Sequence, residues 1–381
     1  MRVNPFKPTA GKMPPILIGR EDVIADFAEG IANGAGAPGR LMLLSGQRGF
    51  GKTVLLTQLA RVAEANGWVA VREVAAGGMC ERIVQSLEMA KPYVAKAEIN
   101  PAISLGGVTA SVGKISVGSP SALNIRTAVA RCFRTLSPGK GVLVTVDEAQ
   151  AANRDELVAL STAVQQIIAD QDMRDVPDSE KHGIAFVFAG LPSVVDDLVN
   201  DEVLTFLRRA MRQDLGPVMV PDVRNAYQQS MQESGLRIED AEALAAARAS
   251  GGHPFLVQLI GYYMWQSARR RGSDVVEMRD VKRSIEDAGI AFEDAVCAPT
   301  YKGLTSAQKV FLNMMATDYP SSSAVSEVSR RAGKSRSWGL KYRESLIRAH
   351  VIEPLGDGRV SFAVPYMGTY VCRASGVGDG L

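Results

Sequence analysis

Gly46-Gln47-Arg48-Gly49-Phe50-Gly51-Lys52-Thr53 is the stretch that decides the reading of this chain. It fits the pattern G-x-x-x-x-G-K-[ST]. It stands between an apolar run, Leu41–Ser45, and a helical pattern, Val54–Ala65, with Leu55, Leu56, Leu59, Val62 and Ala63 on one side. The strand–turn–helix context separates a phosphate-binding loop from a plain glycine-rich turn. Its glycines let backbone N–H groups converge on phosphate oxygens with no Cβ in the way. The helix that follows points its positive dipole end at the anion. Lys52 supplies a charge for the β- and γ-phosphates of a nucleoside triphosphate, and the Thr53 hydroxyl is a ligand for magnesium. Gly46 through Val54 is therefore the candidate ATP-binding segment.

Outward from the loop, Val142-Leu143-Val144-Thr145-Val146-Asp147-Glu148 reads as a buried strand ending in two acids. An acid at the C-terminal edge of a parallel strand faces the phosphate crevice. Asp147 is placed to hold the magnesium hydration shell, and Glu148 to orient and deprotonate the attacking water. Trp68–Val74 and Ile184–Ala189 read as further strands, and Asn124–Leu136 and Asp155–Asp170 as helices. That alternation predicts a parallel sheet covered on both faces, an α/β P-loop NTPase core. Ile103, Leu105, Val108, Val112, Ile115 and Val117 stand among Gly, Ser and Thr. They predict a hairpin insertion over 103–117, either a surface decoration or a pore or DNA-contacting loop.

The chain has 381 residues, 46% hydrophobic and 22% charged, the balance of a soluble globular protein with two or three domains. No long apolar run predicts a membrane span or a signal peptide. Cys80, Cys132, Cys297 and Cys372 show no zinc or Cys-x-x-Cys spacing and read as reduced thiols of a cytoplasmic protein. The net charge of +2 neither favours nor excludes nucleic acid.

After Pro221 the strand pattern stops, and Asp222 to about Ala298 is helical, with Leu256, Leu259, Ile260 and Tyr263 at helical spacing. From Gly303 a third unit follows: helices over Thr305–Thr317, Ser321–Gly333 and Lys334–His350, then a wing over Val351–Leu355 and Arg359–Val364. The order is that of a winged helix. Between Ser321 and His350, Arg330, Arg331, Lys334, Arg336, Lys341, Arg343 and Arg348 face only Glu327 and Glu344. Arg336, Lys341 and, on the wing, Arg359 are the candidate contacts to double-stranded DNA. Winged helices also dock proteins, and Gly339 is expected to weaken an exposed third helix by about 1 kcal/mol relative to Ala. The expected organisation is a core over 1–221 with an extended arm over 1–15, a helical lid over 222–300, a winged helix over 301–375 and a tail over 376–381.

Over most of its length the chain resembles AAA+-type ATPases of the branch shared by origin-recognition initiators and STAND signalling NTPases. The resemblance rests on Ile18-Gly19-Arg20-Glu21, the two nucleotide motifs, Phe188-Ala189-Gly190-Leu191-Pro192-Ser193, Gly251-Gly252-His253-Pro254 and the winged-helix pattern. It implies that ATP or ADP binds between core and lid, with Gly19 and Arg20 on the base side; a plain surface turn is the other reading of that segment. It also implies an arginine finger at Arg208 or Arg209, which would require a homo-oligomer; a solvated basic helix end is the other reading of that segment. Two departures stand out. The fourth strand ends in Ala189-Gly190 where the family carries a polar sensor, with Ser193 the nearest substitute. The lid carries Gly252-His253-Pro254, similar to the Gly-x-Pro of STAND proteins, in place of a sensor arginine. Pro254 is thus a candidate nucleotide contact, and it also suits the first turn of a helix. The resemblance implies a slow ATPase that couples nucleotide state to DNA binding or assembly. The alternatives are a STAND-type recruitment ATPase whose winged helix binds a protein partner, and an accessory ATPase of a mobile element.

Overall fold

The computed structural model describes residues 3–9, 18–34, 36–47, 49–90, 120–192, 195, 198, 200 and 205–376. The 103–117 segment lies outside them, as do Arg48 and Ser193.

Among the described residues, β1 (Leu41–Gly46), β2 (Val69–Val74), β3 (Gly141–Asp147), β4 (Gly183–Gly190) and β5 (Met211–Leu215) form one sheet in the order β2-β3-β4-β1-β5. Every pairing in it is parallel. β3 and β4 are buried along their whole length because both faces of the sheet are covered, which is why they read as unbroken apolar runs. Side chains alternate between the faces. Met42 and Leu44 join a layer with Phe27, Leu55 and Leu59, from α1 (Glu21–Ala32) and α2 (Lys52–Ala65). Leu43, Val144 and Phe186 join the opposite layer with Ile83, Val129 and Leu160, from α3 (Met79–Met89), α4 (Pro120–Phe133) and α5 (Arg154–Asp172). β5 pairs with β1 at the end of the sheet. Its alternating burial marks it as the sheet's partly solvated edge.

The helical region holds α6 (Val220–Glu233), α7 (Asp240–Ala249), α8 (Pro254–Arg270) and α9 (Met278–Phe292), a π-helical stretch Glu293–Cys297, and α10 (Ala298–Lys302). It is not free of strands: β6 (Arg237–Ile238) and β7 (Val275–Val276) pair in parallel within it. Two-residue strands carry no periodicity, so no sequence pattern could have marked them.

The C-terminal unit holds α11 (Ser306–Ala316), β8 (Ser323–Ala324), α12 (Val325–Arg331), α13 (Arg336–Arg348), β9 (Ile352–Pro354), β10 (Arg359–Phe362) and α14 (Met367–Ser375). The strands form an antiparallel sheet, β8-β10-β9. The expected Ser321–Gly333 helix divides into β8 and the shorter α12, and α14 follows the wing without having been expected. Gly339 is not exposed. It is buried against α12, where a Cβ would meet Ser329 Oγ at 1.9 Å. Glycine is there because two helices cross closely, and the expected gain from Ala reverses sign.

One apolar core joins both C-terminal regions, running from Tyr227, Leu256 and Ile260 through Phe292 and Cys297 to Phe311, Val328 and Leu346. Phe6 also belongs to it. The N-terminal arm, read as extended, lays Phe6 at 3% exposure against Tyr227, with ring centroids 5.8 Å apart. A Cβ on Gly261 would meet the Phe6 ring at 2.4 Å, and Asn4 Nδ2 donates to Tyr262 O at 3.1 Å. Cys80, Cys132 and Cys297 are buried free thiols, and burial pushes Cys80 and Cys297 up to about 12. Among the described residues no helix is long and apolar enough to cross a membrane.

Candidate active site

β4 lies between β1 and β3, so the loops leaving β1 and β3 open on one crevice with the end of β4 between them. Gly49 and Gly51 take φ of +82° and +83°, a left-handed turn that brings the chain into α2. Lys52, 7% exposed, donates from Nζ to Gly46 O at 2.7 Å and Gln47 O at 2.9 Å. Thr53 Oγ1 donates to Asp147 Oδ2 at 2.5 Å, so the two sequence motifs meet. The other oxygen, Asp147 Oδ1, accepts from Glu148 N at 2.8 Å.

Glu148 is exposed at the mouth of the crevice and takes φ +54°. A left-handed non-glycine residue is strained, and such residues cluster at functional sites. The kink starts a 3-10 turn, Ala149–Ala151, that folds Gln150 back over the crevice. Gln150 Nε2 donates to Glu148 Oε2, and Gln150 Oε1 accepts from Leu191 N at 3.3 Å. The sequence reading missed Gln150. Its signal was its place two residues after the acidic pair, but its role depends on a backbone kink that no pattern announces.

On the other side, Gly19 takes φ +65°, and a Cβ there would lie 3.3 Å from Val218 Cγ1. Arg20 donates from a terminal guanidinium nitrogen to Gly216 O at 2.7 Å. Burial lowers the Arg20 guanidinium from its ordinary value, and the charge of Glu21 acts against this. Val218 N donates to Gly252 O at 2.8 Å. Gly252, at φ +72°, leaves no room for a Cβ, which would meet Val218 O at 2.0 Å. His253, 2% exposed, packs edge-on against Phe50 with centroids 4.6 Å apart, and against Phe292 at 4.9 Å. A Cβ on Gly49 would meet His253 Cε1 at 2.7 Å. The helical region thus sits directly on the phosphate loop, through His253. Pro254 opens α8, where its missing N–H leaves nothing unpaired.

Arg208 and Arg209 are exposed in a 3-10 turn, Thr205–Arg209, just before β5. In the C-terminal unit Ser335 caps α13 by accepting from Trp338 N at 3.2 Å, and Arg336, Ser337, Leu340 and Lys341 are exposed along it. Arg330, Arg331 and Arg348 pair with Glu327, Asp318 and Glu344. The Arg359 guanidinium is turned onto Ser322, donating from Nε to Oγ at 2.8 Å.

A phosphate loop with its lysine and hydroxyl, joined to an acidic strand end across a parallel sheet, defines a P-loop ATPase. Residues 16–174 match the family model described as the AAA ATPase domain. Residues 294–371 match a model described only as a domain of unknown function. In fold, the chain is similar to the Aeropyrum pernix ORC2 protein, solved as ADPNP–ADP complexes. The TM-score is 0.64 at 12% identity, covering 97% of this chain and 98% of that one. It is also similar to Cdc6p from Pyrobaculum aerophilum, with a TM-score of 0.50 at 14% identity and 96% of each chain covered. No curated protein sequence matches. The AAA domain and the fold over nearly the whole chain, small C-terminal antiparallel sheet included, agree with the expected class.

Proposed function

We propose that this protein is a slowly hydrolysing ATP switch that couples nucleotide state to double-stranded DNA binding through its winged helix. Its working parts are a core over 1–221, a lid over 222–300, a winged helix over 301–375 and a tail over 376–381. The observation that carries the reading is His253 resting on Gly49 and Phe50 while its own helical region shares one apolar core with the winged helix. A change in the phosphate loop therefore has a packed route to α13.

The ATP phosphates lie over the N-terminus of α2, held by backbone N–H groups of Gly46 to Val54. Lys52 exchanges the Gly46 and Gln47 carbonyls for phosphate oxygens. Gly19, Arg20 and Pro254 line the base side. Thr53 Oγ1 and Asp147 Oδ2, neighbouring hard oxygens beside the phosphate loop, fit magnesium, which favours one or two protein oxygens plus phosphates and water. When bound, that ion supplies positive charge against the phosphates. Glu148 takes one proton from the water whose oxygen forms the new bond to the γ-phosphorus, while the bond to ADP breaks. Gly190 offers no polar side chain at the end of β4, which supports slow turnover. Exposed Arg208 and Arg209 suit a finger reaching a neighbouring copy in a homo-oligomer. In the winged helix, Arg336 and Lys341 meet DNA phosphates and base edges, and Arg359 steadies the wing. We place the protein in the cytoplasm.

A second reading, a winged helix that docks a protein, is favoured by Leu340 and Leu355, 49% and 55% exposed on α13 and at the wing tip. Fluorescence-anisotropy titration of a labelled duplex with the parent and Lys52→Ala proteins tests the first reading. The parent should change its duplex affinity when ATP is added, and the variant should not. An unchanged ATP response in Lys52→Ala would sink it.

A further inference from the structure

We propose that Gln150 is a positioning residue for ATP hydrolysis, its carboxamide fixing the Glu148 carboxylate against the end of β4. This rests on the reading of Glu148 as the group that activates water.

The hydrogen bonds allow one orientation of the amide. Leu191 N–H can only donate, so the oxygen of Gln150 must face it, at 3.3 Å. The Nε2 group then faces Glu148 Oε2, and a carboxylate can only accept. The carboxamide is therefore a bridge with a defined sense, running from the backbone at the end of β4 to the acid at the end of β3. Since β4 lies between β1 and β3, Leu191 is a backbone anchor between the two nucleotide motifs.

The neighbouring residues fit the bridge. A Cβ on Gly190 would lie 3.3 Å from Ala149 Cβ and 3.5 Å from Gln150 Oε1, so the 3-10 turn and its glutamine occupy the space over that glycine. A polar group reaches this spot from the β3 side, where the chain carries none at the end of β4. Glu148 itself is exposed and sits on a left-handed backbone, and among the described residues its carboxylate is held by a side-chain hydrogen bond from Gln150. A base that samples several rotamers spends less time aligned with its water, and misplacement of this kind lowers turnover without changing substrate binding.

Steady-state ATP hydrolysis by the parent, Gln150→Ala, Gln150→Glu and Glu148→Gln, with ATP binding titrated for each, tests the assignment. Gln150→Glu keeps the shape and the acceptor for Leu191 N–H but removes the donor to Glu148. We expect kcat to fall about tenfold to a hundredfold in both Gln150 variants, with KM and ATP affinity near the parent's. Combining Gln150→Ala with Glu148→Gln should slow the enzyme no further than Glu148→Gln alone. Parent kcat in Gln150→Glu would show that the amide serves Leu191 only and overturn the proposal. Parent kcat in Glu148→Gln would instead remove Glu148 as the base, and the positioning role with it.

Discussion

The nucleotide half and the helical half of this molecule are built on different plans. In the first, a sheet separates two apolar layers, and each chemical group stands at a strand end beside the motif that announces it: Lys52 and Thr53 after β1, Asp147 and Glu148 at the end of β3. In the second, one apolar core runs from Phe6 through the helical region to the C-terminal unit, and the residue packed on the phosphate loop, His253, lies far from it in sequence. The first plan holds charged groups still for chemistry. The second packs the helical region and the C-terminal unit around a single core, and the proposed switch relies on that core moving as one piece, since a packed core does not deform smoothly. The π-helical Glu293–Cys297 stretch sits where the helical region passes into the C-terminal unit, and Glu293, buried within it, pairs with Arg373 of α14.

The contrast can be broken at several points. The largest effect should come from Glu148→Gln, which ought to keep ATP binding while lowering kcat by about a hundredfold to a thousandfold in a steady-state phosphate-release assay. Parent turnover there would mean that the nucleotide half does not use the strand end as described. Phe6→Ala tests the second plan. Emptying that pocket should cost about 3–5 kcal/mol and lower the melting transition of the helical half, seen by calorimetry, with little change in ATP affinity. An unshifted transition would show that the arm is not part of the core. Gly339→Ala should destabilise the winged helix by about 1–3 kcal/mol in a urea melt, against the helix preference for Ala, because the new methyl meets Ser329. Smallest of all, Arg336→Ala and Lys341→Ala should each reduce the slope of log affinity against log salt for duplex DNA by about 1. A slope unchanged in both would favour protein docking.

The two plans also differ in what their sequence discloses. The phosphate loop and the acidic strand end were legible because their chemistry depends on spacing within a few residues, and buried parallel strands announce themselves as apolar runs. Gln150 was not legible, because it reaches Glu148 only through a left-handed residue and a short 3-10 turn. His253 could be noticed beside Pro254, but its ring contact with Phe50 follows from how the helical region packs on the loop. Gly339 was misjudged for the same reason: a helical pattern shows which residues share a face, and only packing shows what that face meets. Arg359 was a candidate DNA contact in sequence, and in the fold its exposed guanidinium donates to Ser322 Oγ, a neighbour no pattern announces.

In the proposed function, nucleotide at the phosphate loop controls the winged helix. The most direct test of that control is equilibrium binding of the protein to a labelled duplex with ATP, with ADP and without nucleotide, across a salt series. Affinity should fall steeply with salt, because phosphate contacts release counterions, and should differ between ATP and ADP. Binding that is absent in all three states, or identical in them, would contradict it.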